Sequence, residues 1–174
     1  MFSRINITSI IKDHFKTLRS LDENSKAIYW KDLLLFIIIP ILTSTILCIK
    51  GYNFENQLGN LIAAISIFGG FLFNLLAIIY GQIDKIKSDA TGESSNLKKR
   101  FVKEIHINIS FCIVLSILIV LTLLLTSIDI PENKFKFIIK MMIIGINYYL
   151  MSLFLLTLLM ILNRVYILLK RDSE

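Results

Sequence analysis

The residues in this sequence that could do chemistry are few, and their spacing does not join them into a reactive site. His14 and His106 have no His, Cys or carboxylate three or four residues away, the spacing that places two metal ligands on one helix face. Glu104 precedes His106 by two residues and therefore points elsewhere on a helix. Cys48 and Cys112 are isolated in apolar segments, which favours simple packing. We therefore predict neither an enzyme nor a cofactor or metal site.

The apolar segments contain a small number of polar side chains and no charged residue near their centres. Asn74, Asn147, Tyr148 and Tyr149 are the most polar groups at depth. Proton-coupled transporters and voltage sensors usually need an ionisable residue there, so its absence argues against both classes. We expect each asparagine to form a hydrogen bond between helices, with lining of a pore or pocket as the alternative.

The elements that must hold these side chains are apolar helices. The chain has 174 residues, of which 55% are hydrophobic, and a mean hydropathy of +0.71. It therefore predicts an all-α integral-membrane four-helix bundle over residues 27–170, with helices that extend on the cytoplasmic side. The predicted spans are residues 27–49, 58–81, 105–128 and 135–162.

Residues 1–26 precede the bundle and have their own pattern. Their apolar residues fall mostly on one helical side and their basic residues elsewhere, which is typical of an amphipathic helix at the membrane interface. A helix packed on the cytoplasmic ends of the bundle has the same pattern and remains the alternative. Pro40 predicts a kink in the first span, either fixed or acting as a hinge.

The second span, Leu58–Tyr80, is predicted to be the hub of the bundle. It has no charge, and one face carries small or hydrogen-bonding residues that permit close helix approach. We expect this face to pack against other helices and the larger residues, including Leu72, to face lipid. The residues of this small-residue stripe are Gly59, Ala63, Ser66, Gly70, Asn74 and Ala77, with Gly81 beyond them.

The positive charges predict the orientation. Of 19 Lys and Arg residues, fifteen lie in the N-terminal segment, the loop between spans two and three, and the C-terminal end, whereas four lie on the other side. This bias predicts cytoplasmic termini in a bacterial inner membrane. We expect the following basic residues to contact lipid headgroups or an acidic cytosolic partner rather than nucleic acid: Lys98, Lys99, Arg100, Lys103, Arg164, Lys170 and Arg171.

Two segments carry a resemblance to a known group of proteins. Residues 65–86, ISIFGGFLFNLLAIIYGQIDKI, and residues 98–125, KKRFVKEIHINISFCIVLSILIVLTLLL, resemble small four-span proteins of bacterial antiviral defence. The nearest in pattern are the membrane subunit of the Kiwa system and the accessory membrane proteins of type VI-B CRISPR loci. The resemblance implies a homo-oligomer, possibly a tetramer, that senses membrane disturbance or anchors a cytosolic nucleic-acid-handling effector. It supplies no motif from which a site residue could be assigned.

Two other functions remain open at this point. The first is a membrane effector that forms a pore or alters permeability, like a holin or an abortive-infection protein. The second is an immunity protein that protects the cell from a membrane-active toxin. A pore would need a polar face for its lumen, and the stripe supplies only Ser66 and Asn74 as polar members.

Overall fold

The described part of the molecule is built from helices. A computed structural model describes residues 6–18, 30–52, 55–88, 93–127 and 134–173. The five α-helices are α1 (Ile7–Thr17), α2 (Trp30–Ile49), α3 (Leu58–Ser88), α4 (Glu93–Thr126) and α5 (Lys134–Ser173), and a 3₁₀ turn, Glu55–Gln57, precedes α3. The all-α prediction is confirmed.

Three of these helices are long and apolar enough to cross a membrane. The qualifying segments are Leu58–Gly81 in α3, Lys98–Thr126 in α4 and Phe137–Lys170 in α5. The apolar part of α2, Leu34–Ile49, is shorter. The architecture is therefore that of a membrane protein with three candidate spans, and a fourth span through α2 stays a prediction.

Helix α4 is the centre of the bundle. It packs against α1, α3 and α5, whereas α2 packs mainly against α5. Its inner face is completely shielded, at Ile105, Ile109, Cys112, Ile119 and Leu123. The prediction that the second span, now α3, is the hub is wrong, because α3 packs mainly against α4.

The α3–α4 interface uses a different face of α3 from the one predicted. Residues Ile65, Gly69, Leu72 and Ile79 are buried, and their spacings of 4, 3 and 7 match the heptad repeat of a coiled coil. Leu72 is only 5% exposed, so the prediction that it faces lipid is wrong. At the centre of the interface a Cβ on Gly69 would lie 3.0 Å from Ser116 Oγ. This contact shows the close approach that small residues allow.

Polar side chains join the other helices. Thr122 Oγ1 on α4 donates to Asn147 Oδ1 on α5 over 2.7 Å, and Asn147 Nδ2 donates to Ile143 O. The interhelical bond predicted for Asn147 is thereby confirmed. Ser44 Oγ on α2 donates to Gly145 O on α5 over 2.7 Å.

Candidate functional site

Helix α1 is docked on the bundle, and its inner side is polar. Asn6 begins the helix by accepting a hydrogen bond from Ser9 N through its side chain. His14 and Thr17 are buried, whereas Ile7 in the first turn of the helix and Phe15 beside His14 remain exposed. Of the two interpretations of this segment, the structure shows the helix packed on the bundle. Its contact with lipid stays a prediction.

His14 lies in an aromatic and largely apolar pocket. Its ring stacks on Phe111 of α4 with centroids 3.8 Å apart, and Phe36 of α2 approaches it edge-on at 5.9 Å. Nδ1 donates to Asn108 Oδ1 over 2.9 Å, which leaves Nε2 as the unprotonated nitrogen. Burial lowers the pKa of His14 to about 4. The hydrogen bond with Asn108 opposes this lowering in part, and repulsion from Arg164 adds to it. The imidazole is therefore neutral at pH 7.

An ion pair lies beside the histidine. Arg164 of α5 is 8% exposed and pairs with Glu104 of α4. Its Nη2 also donates to the carbonyl of Thr17, the last residue of α1, over 2.6 Å. A cation at this position favours the helix, because the C-terminal carbonyls carry partial negative charge. Arg100 Nε approaches the other oxygen of Glu104 at 3.3 Å.

Thr17 connects the ion pair to the histidine. Its hydroxyl lies 2.7 Å from His14 O and 2.8 Å from Asn108 Oδ1. The five side chains of His14, Thr17, Glu104, Asn108 and Arg164 thus form one network, which we call the α1 cluster. It joins three helices, and its two longest-range contacts separate residues by 94 and 147 positions.

The α1 cluster is incompletely satisfied. Among the residues that the structure describes, His14 Nε2 and Asn108 Nδ2 have no hydrogen-bond partner although both are buried. Each such atom costs about 1–3 kcal/mol relative to a solvated one. The docked position of α1 therefore combines strong contacts at Arg164 with a penalty at His14 and Asn108.

The predicted small-residue stripe lies on the outside of the bundle. All six of its members are exposed, and a Cβ on Gly59 or Gly70 would meet no atom within 4 Å. The larger residues of α3 provide the contact with α4, so the stripe is not the packing face of α3 within the part of the chain that the structure describes. Its role against a helix of another chain stays a prediction. Asn74 lies on this face, and its interhelical hydrogen bond also remains a prediction.

The predicted basic contact residues do not all lie on one surface. Lys103 and Lys170 are exposed, and Lys98, Lys99 and Arg100 are half-buried. The side chain of Arg171 lies outside the described residues. The predicted contact of Arg164 with headgroups or a partner is not present in this structure. Its guanidinium is instead buried against Glu104 and Thr17 O.

Sequence reasoning missed the α1 cluster, although one signal was present. Glu104, Asn108 and Phe111 follow one another at spacings of 4 and 3, and His14 and Thr17 are separated by 3. Each set lies on one face of its helix. The histidine of the cluster is His14 and not His106, which lies two residues from Glu104 in the sequence.

Similarity to known proteins assigns no role to this cluster. No family model matches the chain, and no curated protein or solved structure matches it. Within the described residues, no three His, Cys, Asp or Glu side chains are grouped so that they could hold a metal ion.

Proposed function

We propose that this protein is an integral-membrane sensor and anchor in which α1 couples the membrane surface to the helical bundle. The observation that carries the proposal is the two-sided character of α1. Its inner side is held by the α1 cluster, whereas Phe15 remains exposed beside the cations Lys12 and Lys16, and Ile7 is exposed in the first turn. A helix with exposed apolar and basic residues suits the interface between headgroups and acyl chains.

The energetics of docking make α1 a suitable two-state element. The Arg164 contacts hold the helix on α4 and α5, and the unpaired atoms of His14 and Asn108 oppose docking. Binding of amphipathic helices to membranes depends on lipid packing and curvature. A membrane with loosened packing would bind the apolar residues of α1 more strongly and shift the population towards release.

Release of α1 would expose a new surface for a cytosolic partner. Glu104, Asn108 and Arg164 would lose their cover, next to the exposed Lys103. The charge bias of the sequence supports a cytoplasmic position for this end in a bacterial inner membrane. The exposed small-residue stripe of α3 supports self-association, because such faces allow close helix contact in lipid.

The biological setting that we propose is antiviral defence. The resemblance of residues 65–86 and 98–125 to small four-span defence proteins supports it. In that setting the trigger would be membrane disturbance, and the partner would be a nucleic-acid-handling effector. Genes for such an effector beside the gene for this chain would support the setting, and their absence in several genomes would count against it.

Hydrogen exchange of α1 tests the sensor mechanism directly. The native protein is reconstituted in large vesicles with saturated lipids and in small vesicles with unsaturated lipids. We expect the amides of residues 7–17 to exchange faster in the second membrane, while those of α4 and α5 remain protected.

Two variants make this experiment specific. Arg164→Met should speed exchange of α1 in both membranes, because it removes the bond to Thr17 O. Asn163→Ala changes an exposed neighbour and should behave like the native protein. If exchange of α1 is the same in both membranes, α1 is a fixed structural helix and the sensor proposal is wrong.

A further inference from the structure

A groove lies at the end of the bundle opposite to α1, between the end of α2 and the start of α5. Its first part is a cavity of about 260 Å³ whose lining includes Cys48, Tyr52, Lys140, Met141 and Ile144. A second cavity, of about 380 Å³, shares Cys48 and Met141 with the first. The two cavities therefore adjoin, and we call them together the α2–α5 groove.

The end of α2 shapes the mouth of the groove. Gly51 has a φ of +69°, the left-handed conformation that favours glycine. Its N–H bonds Cys48 O over 3.1 Å, and the next N–H, that of Tyr52, bonds Leu47 O over 3.3 Å. This pair of bonds is the Schellman motif, which satisfies the last carbonyls of a helix. It turns the chain so that Tyr52 lines the cavity.

The wall of the groove is apolar apart from a few groups near its mouth. Ser44 Oγ already donates to Gly145 O, so it contributes little free polarity. Among the lining residues of both cavities that the structure describes, Lys140 is the one charged side chain. It lies three residues inside the apolar segment Phe137–Lys170 and is half-buried. A cation at that depth is stabilised when its ammonium reaches the headgroup layer or an anion.

We propose that the α2–α5 groove binds one anionic phospholipid of the membrane. The phosphate lies against the ammonium of Lys140 and the hydroxyl of Tyr52, and an acyl chain follows the apolar wall past Met141 and Ile144. Charge complementarity at Lys140 selects the headgroup, and the apolar wall provides the contact area. This inference does not depend on the sensor proposal, because the groove and α1 lie at opposite ends of the bundle.

Cys48 allows the site to be tested in the intact chain. It lines both cavities, and the only other cysteine, Cys112, is fully buried. The reaction of Cys48 with N-ethylmaleimide is followed by mass spectrometry in neutral-detergent micelles, with added phosphatidylglycerol or phosphatidylcholine. We expect phosphatidylglycerol to protect Cys48 at lower concentration. Labelling of Cys112 would report unfolding.

Charge variants at the same end of the bundle make the test specific. An interaction of a lysine with an anionic lipid is worth on the order of 1 kcal/mol, so Lys140→Gln should lower the preference for phosphatidylglycerol about fivefold. Lys140→Arg should keep it. Lys50→Gln removes an exposed cation at the end of α2 that does not line the groove and should have little effect.

Two results would overturn the assignment. Equal protection by the two lipids would show that the groove accepts acyl chains without recognising the headgroup. An unchanged preference in Lys140→Gln, with Cys112 still unreactive, would place the headgroup elsewhere. If Lys140→Gln does not fold, Lys140→Arg decides the question. Protection of its Cys48 at the same concentration of phosphatidylglycerol as of phosphatidylcholine would have the same meaning.

Discussion

Removal of the Arg164 guanidinium should release α1 from the bundle. In Arg164→Met the aliphatic part of the side chain is kept, and the charge that pairs with Glu104 is lost. The bond from Nη2 to Thr17 O is lost as well. Glu104 stays largely buried, with a side chain that is 12% exposed, so its carboxylate loses its principal partner.

The size of the effect follows from the surroundings of Glu104. Removal of one member of a buried ion pair typically costs about 3–5 kcal/mol, because the other charge is left uncompensated. Arg100 still approaches Glu104 Oε1 at 3.3 Å, but its side chain is 38% exposed and its attraction is partly screened. We therefore expect a loss near the lower limit, about 3 kcal/mol.

Equilibrium unfolding in mixed detergent micelles measures this loss, with Asn163→Ala as the exposed control. The double variant Glu104→Gln/Arg164→Met separates the pair from simple loss of packing. Because both charges are then gone, its loss should be smaller than the sum of the single losses by at least 1 kcal/mol. Additive losses, or a loss in Arg164→Met no larger than in Asn163→Ala, would refute the role given to the ion pair.

Three further predictions address pH, packing and orientation. The pKa of His14 falls from its ordinary 6.5 to about 4 in the folded protein, so the unfolded chain binds the proton first as the pH is lowered. Unfolding titrations should therefore show a stability about 2 kcal/mol lower at pH 5 than at pH 7. This difference should be absent in His14→Phe. Gly69→Leu should destabilise the chain, because the new side chain would clash with Ser116. Gly70→Leu should leave folding intact. If the stripe joins copies of the chain, Gly70→Leu should also reduce the mass of the detergent-solubilised particle, as measured by light scattering. A periplasm-dependent reporter after Glu174 should be inactive, and activity would refute the cytoplasmic termini.

The packing of α3 shows why helix class was easier to predict than helix neighbours. Its length and lack of charge made the helix evident, but two faces of α3 have the same spacing. One runs through Gly59, Ala63, Ser66 and Gly70, and the other runs through residues 58, 62, 65, 69, 72, 76 and 79. Both fit close packing, and the preference for small residues in membranes favoured the first. The structure uses the second, because Gly69 opposite Ser116 already supplies the close approach at the centre of an aliphatic interface.

The α1 cluster was hidden for a different reason. The spacing of Glu104, Asn108 and Phe111 places a carboxylate, an amide and an aromatic ring on one side of α4, a pattern that calls for polar partners once buried. Those partners come from both ends of the chain, and local periodicity cannot identify a contact between Thr17 and Arg164 across 147 positions. Arg164 is also one of the positive charges that predict orientation. Contact with lipid headgroups or a partner already explained its presence, so no feature of the sequence indicated a partner inside the protein. Burial changes that role, because a guanidinium that fixes the last carbonyl of α1 makes the position of α1 depend on the integrity of one ion pair.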